Sequence, residues 1–154
     1  GIPEIVYGFG PSIKWKNLDF SFFFQGVSRT SFILNNFHPF GDNMLRNVLS
    51  WVADERWSPD NQDTNATYPR LSRKTNSNNN KNSSYWERNG AFLKLKNAEI
   101  GYTYKHMRLY ISGSNLLTFA PFKLWDPEQG GGNGLSYPTQ RVFNIGFQMT
   151  INNK

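Results

Sequence analysis

His38 and His106 are the chain's two histidines, and there is no cysteine, so the usual carriers of acid–base, nucleophilic and thiolate chemistry are nearly absent. His38 falls in a long polar stretch and His106 in a tight connection, and neither has a matching nucleophile; both read as loop-surface residues. Asp60, Asp63 and Asn65 are spaced like hard-cation ligands, but the glycine and bidentate Glu of a calcium hand are missing. The GGGNG run at 130–134 lacks the Lys-Ser/Thr of a phosphate cradle and reads as flexible loop. Nothing here predicts an enzyme, a metal site or a cofactor.

The formal charge is +6, with Arg70, Arg73, Lys74 and Lys81 in polar tracts. Basic and aromatic residues do not interleave on one face, which argues against nucleic acid. Aromatics make up 16% of the chain, with 13 Phe, 7 Tyr and 5 Trp. That excess, beside abundant Asn and Gly, fits β-structure with long polar loops better than a helical bundle. No apolar run reaches 18 residues, so no membrane helix is expected; a barrel would hide its apolar residues at alternate positions. The first residue is Gly rather than Met, which fits a fragment or a processed product.

The elements that must carry these side chains alternate with a period of two. RVFNIGFQMTI sets Phe143, Ile145, Phe147, Met149 and Ile151 against Asn144, Gly146, Gln148 and Thr150. LDFSFFFQG sets Leu18, Phe20, Phe22 and Phe24 against Asp19, Ser21, Phe23 and Gln25. IVYGFGPSIKW, NAEIGYTY and MRLYISGSNLLTF behave alike, with Ile100 on the apolar side of the third segment. The spacing predicts strands over about 4–15, 18–28, 91–104, 107–118 and 140–151. Two-residue connections close two hairpins. Long loops over about 29–90 and 119–138 separate the rest. One helix is expected in DNMLRNVLSWVADERW, where Met44, Leu45, Val48, Leu49 and Val52 recur at helical spacing behind an Asp42 or Asn43 cap.

Short turns on one side and long loops on the other mark outer-membrane barrels. Tyr7 and Trp15 lie eight residues apart, about 26 Å along a strand, which a tilt of about 40° reduces to about 20 Å across a bilayer. The second face is rich in Gly and small polar groups and low in charge, which suits an aqueous bore. On this reading Phe20, Phe22, Phe24, Ile100, Phe143, Ile145, Phe147 and Met149 face lipid. Five strands cannot close such a barrel, and open edges in lipid cost several kcal/mol per unpaired group, so further strands must flank these. The alternatives are a soluble carbohydrate-binding β-sandwich with an aromatic core, and a structural or secretion barrel without nutrient uptake.

Five stretches resemble the end of the SusC/RagA family of TonB-dependent outer-membrane transporters. They are PEIVYGFGPSIKWKNLDFSFFFQGV, RWSPDNQDTNATYPRL, WERNGAFLKLKNAEIGYTY, LYISGSNLLTF and WDPEQGGGNGLSYPTQRVFNIGFQMTI, in order over nearly the whole chain. One departure is the end, TINNK, where the family usually places an aromatic residue. The resemblance implies an all-β fold in which residues 1–154 form the last five antiparallel strands of a transmembrane barrel of about 22 strands. Its extracellular loops would hold one short helix, and the plug domain would lie outside this chain. It further implies nutrient import, of oligosaccharides or peptides, in the bacterial outer membrane. The implied partners are the remaining barrel and plug, a SusD-like lipoprotein lid and the TonB complex. In that setting the Asn65-Ala66-Thr67 and Asn82-Ser83-Ser84 triplets are accidental glycosylation matches, and loop cations would meet lipopolysaccharide phosphates or solvent. Trp51, Trp57, Tyr85, Trp86, Trp125 and Asp126 would contact substrate or lid, or pack loop on loop.

Overall fold

The computed structural model describes residues 1–35, 47–74 and 76–151. Its elements are β1 (Ile5–Phe9), β2 (Ser12–Trp15), β3 (Leu18–Ser28), β4 (Ser31–Ile33), α1 (Ser50–Asp54), β5 (Glu87–Asn89), β6 (Phe92–Tyr104), β7 (Met107–Phe119), a 3-10 turn at Pro127–Gln129, and β8 (Val142–Met149). They form two compact units. One holds residues 1–31, 89–130 and 137–154, and the other residues 32–88 and 131–136.

The first unit is an antiparallel sheet in the order β1-β3-β6-β7-β8, with β2 also on β3. β1 pairs with the second half of β3 and β2 with the first half, so the two are one stave broken at Gly10-Pro11. The break has a local cause. Pro11 offers no N–H to the ladder, and a side chain at Gly10 would strike the Phe22 carbonyl at 2.5 Å. The strand expected over 4–15 is therefore interrupted.

Both two-residue turns use a lysine in the left-handed region, Lys16 and Lys105, each at φ 53°. Each turn also lays its lysine ammonium over the preceding ring, Lys16 on Trp15 at 5.3 Å and Lys105 on Tyr104 at 5.5 Å. These are the same device used twice, at the same end of the sheet.

At the other end the register slips twice in one band. Lys96 is extra in β6 relative to β3, and β7 carries one extra residue near Asn115, whose φ is 54°. Beyond the bulges parity reverses, so Leu93 and Leu95 join the face that Ala98 and Ile100 occupy below. Simple alternation cannot anticipate that reversal, because an extra residue leaves no gap in the pattern.

The second unit has a core of its own. Phe32, Leu34, Val52, Tyr68 and Trp86 are all buried there. β4 pairs with β5, and Leu34 bridges Gly132, whose amide donates to the Ile33 carbonyl. The expected helix over 42–57 is much shorter among the described residues. It runs only from Ser50 to Asp54 behind Leu49, and Val48 is not helical. Arg56 and Trp57 leave it to pair with the backbone of Tyr68. The proposed caps Asp42 and Asn43, with Met44, Leu45 and His38, lie outside the described residues.

Candidate functional site

Register decides which side chains share a face. One row runs Phe20–Ile100–Ile111–Ile145 and the next Phe22–Ala98–Gly113–Phe143. Toward the turns lie Leu18–Tyr102–Leu109–Phe147, then Tyr104–Met107–Met149. Phe24 continues the face past the bulge with Leu95 and Leu117, and stacks on Phe9 at 5.3 Å. All eight side chains singled out as lipid-facing therefore stand on this one side. They are not a dry core: Ile145 is 78% exposed, Phe143 68% and Phe147 61%. Each such side chain in water forgoes about 1.5–3 kcal/mol of burial. A continuous apolar sheet face left this bare is built for an apolar surrounding.

The opposite face is polar, and one arginine gathers two of its carboxylates. Arg108 donates to both carboxylate oxygens of Asp19 and, at 2.6 Å, to Glu99. Its guanidinium stacks on the Tyr110 ring at 4.9 Å. Two glycines make the room. A Cβ at Gly101 would meet the Arg108–Asp19 pair, and one at Gly146 would sit in the Tyr110 ring. Phe23, also on this side, lies across Gly8 and Gly10. Asn97, Ser12, Ser21, Ser112 and Ser114 line a polar groove of about 430 Å³ beside it. The sequence listed these residue types on the wet side without showing that Asp19, Glu99 and Arg108 meet; that needs the β3–β6–β7 register.

Farther from the turns, Lys94 stands on the polar face opposite Gln25 and Thr118, with its side chain only 1% exposed. Its ammonium donates to Asp126 at 2.6 Å and to Glu128 at 2.7 Å, and Lys96 donates to Glu128 at 2.7 Å. Asp126 also caps the 3-10 turn, accepting from the Glu128 amide. Burial pushes both carboxyls up, but the lysine hydrogen bonds outweigh it and hold them below the usual carboxylate range. Trp125 packs edge-on against Phe122 and donates its indole N–H to the Gly130 carbonyl. Asp126, singled out as a ligand contact, is thus committed to a structural ion pair, and so is Glu128, which sequence reasoning passed over. The available signal was a lysine between leucines in LKLKN.

In the second unit Tyr68 is the hub. Trp51 lies 5.4 Å from it and Trp86 stacks at 6.4 Å, while Tyr85 meets Trp86 edge-on at 4.8 Å. Trp57 is half-buried and its amide donates to the Tyr68 carbonyl. Burial pushes the Tyr68 phenol up to about 12, with the Glu55 charge adding to it. Trp86 is 4% exposed and its indole N–H goes to Asn79, so it is a core residue here and not a surface contact. Tyr85 keeps an open flank at 46% exposure. Asp63 closes a local turn with Asn65, and no cluster of three potential metal ligands occurs among the described residues.

No family model matches the chain. Two curated relatives from Formosa agariphila do: "TonB-dependent receptor P26", 30% identical over 97% of this chain, and "TonB-dependent receptor P3", 28% identical over 96%. Among solved structures, the RagAB peptide importer in its open-open state superposes with a TM-score of 0.71 at 25% identity over 97% of this chain. Its closed-closed state gives 0.72 at 23% over 96%. Over nearly its whole length the chain is similar to a barrel segment of TonB-dependent receptors. It spans about a sixth of its relatives, 17% and 16% of the two receptors and 17% of the RagAB chain. The fold expected from the sequence, antiparallel strands of a larger SusC/RagA-type barrel, is the one found, and the receptor is an outer-membrane protein. That accounts for a sheet with two open edges and one bare apolar face.

Proposed function

We propose that this chain supplies barrel wall and surface loops to an outer-membrane importer that takes up oligosaccharides or peptides with energy delivered through TonB. The observation that carries this reading is the division of one sheet into a bare apolar face and a polar face on which Arg108 pairs with Asp19 and Glu99. On this reading Phe20, Phe22, Phe24, Ile100, Phe143, Ile145, Phe147 and Met149 touch hydrocarbon. The Arg108 cluster and the groove beside Phe23 face the bore. Trp15 and Tyr104, each under a lysine, form the aromatic girdle nearest the short turns, where amphipathic rings and snorkelling cations belong.

A SusD-like surface lipoprotein is the proposed lid. The peptide option draws on the RagAB importer, and the oligosaccharide option on the family the motifs resemble. Tyr85, Trp51 and Trp57 are the loop aromatics proposed to meet substrate or lid, and the partial exposure of each supports that reading. The test is purification of the full receptor from native outer membranes in mild detergent, with identification of co-purifying chains and uptake measured with and without the TonB system. Recovery in the outer membrane with a lipoprotein partner and TonB-dependent uptake is the expected result. A soluble, monomeric parent would overturn the reading.

A further inference from the structure

The apolar face is not smooth. Where every neighbouring row is Phe, Ile, Leu, Tyr or Met, the row Phe22–Ala98–Gly113–Phe143 has two small residues in its middle. Phe22 and Phe143 stand three strands apart, about 14 Å. Between them, with Leu116 folded over from the β7 bulge onto Gly113, is an apolar depression of about 310 Å³. Ala and Gly are poor strand residues, and in lipid they give up contact area that Ile or Leu would use. A cleft in hydrocarbon gains nothing from the hydrophobic effect, because lipid tails are as apolar as the wall. Its gain is shape: a chain seated there recovers the dispersion contacts a gap would forfeit.

The charge beside the cleft says what kind of chain. Arg141 precedes β8, is exposed, and has no ion-pair partner among the described residues. Arg141 lies just before β8 and two residues from Phe143, so continuing the strand's alternation one residue back sets it on the side of Phe143, about 6.6 Å farther from the short turns. An arginine on a lipid-facing side is costly at the midplane and tolerated at the interface, so this end of the cleft belongs at headgroup depth. Guanidinium there pairs best with phosphate, in a two-point contact.

We infer that the wall carries a seat for the lipid A part of lipopolysaccharide, with an acyl chain in the Ala98–Gly113 cleft and a phosphate on Arg141. This rests on the membrane reading above, and on the long loops lying outside. The full receptor is extracted from native outer membranes in dodecyl maltoside, washed, and its bound lipid A and glycerophospholipid are quantified by mass spectrometry. Ala98→Phe fills the cleft, and Arg141→Gln removes the charge. Each is expected to lower retained lipid A several-fold, while the heat-modifiable gel shift of the folded barrel is unchanged. Equal lipid A retention in wild type and both variants overturns the seat, as does glycerophospholipid alone in the wild type. If Ala98→Phe fails to assemble, Arg141→Gln decides by itself. Absence of the parent from the outer-membrane fraction would sink the membrane reading instead, a result the lipid assay does not mimic.

Discussion

The two units obey opposite hydrophobic rules within one chain. The loop unit is built like a small soluble protein: Phe32, Leu34, Val52, Tyr68 and Trp86 are buried together and the Asn- and Ser-rich tracts lie outside. The wall unit leaves Phe143, Ile145 and Phe147 bare and turns Asp19, Glu99 and Arg108 toward one another on its other side. Exposed apolar area is therefore not a defect to be explained away here; its arrangement by register is the signal. Scattered exposure would mean nothing, whereas four successive rows on one face specify the solvent.

The comparison is broken most severely at Trp86. Trp86→Ala empties the loop core beneath Tyr68 and is expected to cost that unit about 3–5 kcal/mol. If the two units fold independently, the barrel should still assemble with normal gel mobility while hydrogen exchange rises across residues 47–74. A matching loss of assembled barrel would mean the two units fold as one.

Phe147→Arg applies the converse stress. On a lipid face near midplane it should cost about 2–4 kcal/mol and reduce the assembled receptor. Gln148→Arg, one residue along and opposite Arg108 in the register, should be far milder and alter flux before assembly. The readout is the heat-modifiable fraction in outer membranes. Equal losses would remove the distinction between the faces. Gly146→Val ranks next. Its new side chain must displace the Tyr110 ring, an overpacking of about 1–3 kcal/mol. The loss should show as a lowered Tm of the barrel, and Tyr110→Ala should relieve it.

Much of this was legible in the sequence, for a physical reason. A strand one residue off register flips every side chain to the wrong solvent, so alternation is strongly written wherever two solvents differ. That is why Phe143 through Met149 announced their face. What failed were places where the backbone breaks its own period. Lys96 and Asn115 each shift parity without changing composition, and the Gly10-Pro11 gap interrupts the ladder while the register on β3 continues across it. The loop helix failed differently. Val48 and Leu49 fit a helical stripe, but Arg56 and Trp57 are drawn off to Tyr68, and only Ser50–Asp54 remains helical. The ion pairs were out of reach altogether, since Asp19 and Arg108 lie 89 residues apart and meet only through the β3–β6–β7 register.

The smallest effect is also the most specific, and it concerns the lysine–carboxylate cluster that reaches from the wall to a loop within the first unit. Asp126 and Glu128 sit below the usual carboxylate range chiefly because Lys94 overrides their burial. A lowered carboxyl contributes stability that is complete above its ordinary value, near pH 4, and drains away as pH falls through the lowered one. From neutral pH down to about 5 the Asp126–Gly130 turn should therefore hold unchanged. Below about 4 the amide of Glu128, which donates to Asp126, should lose its hydrogen-exchange protection. Lys94→Met removes the cation and leaves the burial, so both carboxyls should titrate higher and the loss should begin at higher pH. The β8 amides, paired only to backbone, should show no such shift in either protein. An unchanged midpoint in Lys94→Met would assign the turn's order to the Asp126 cap alone, and the lysine would then be a passenger on the wall.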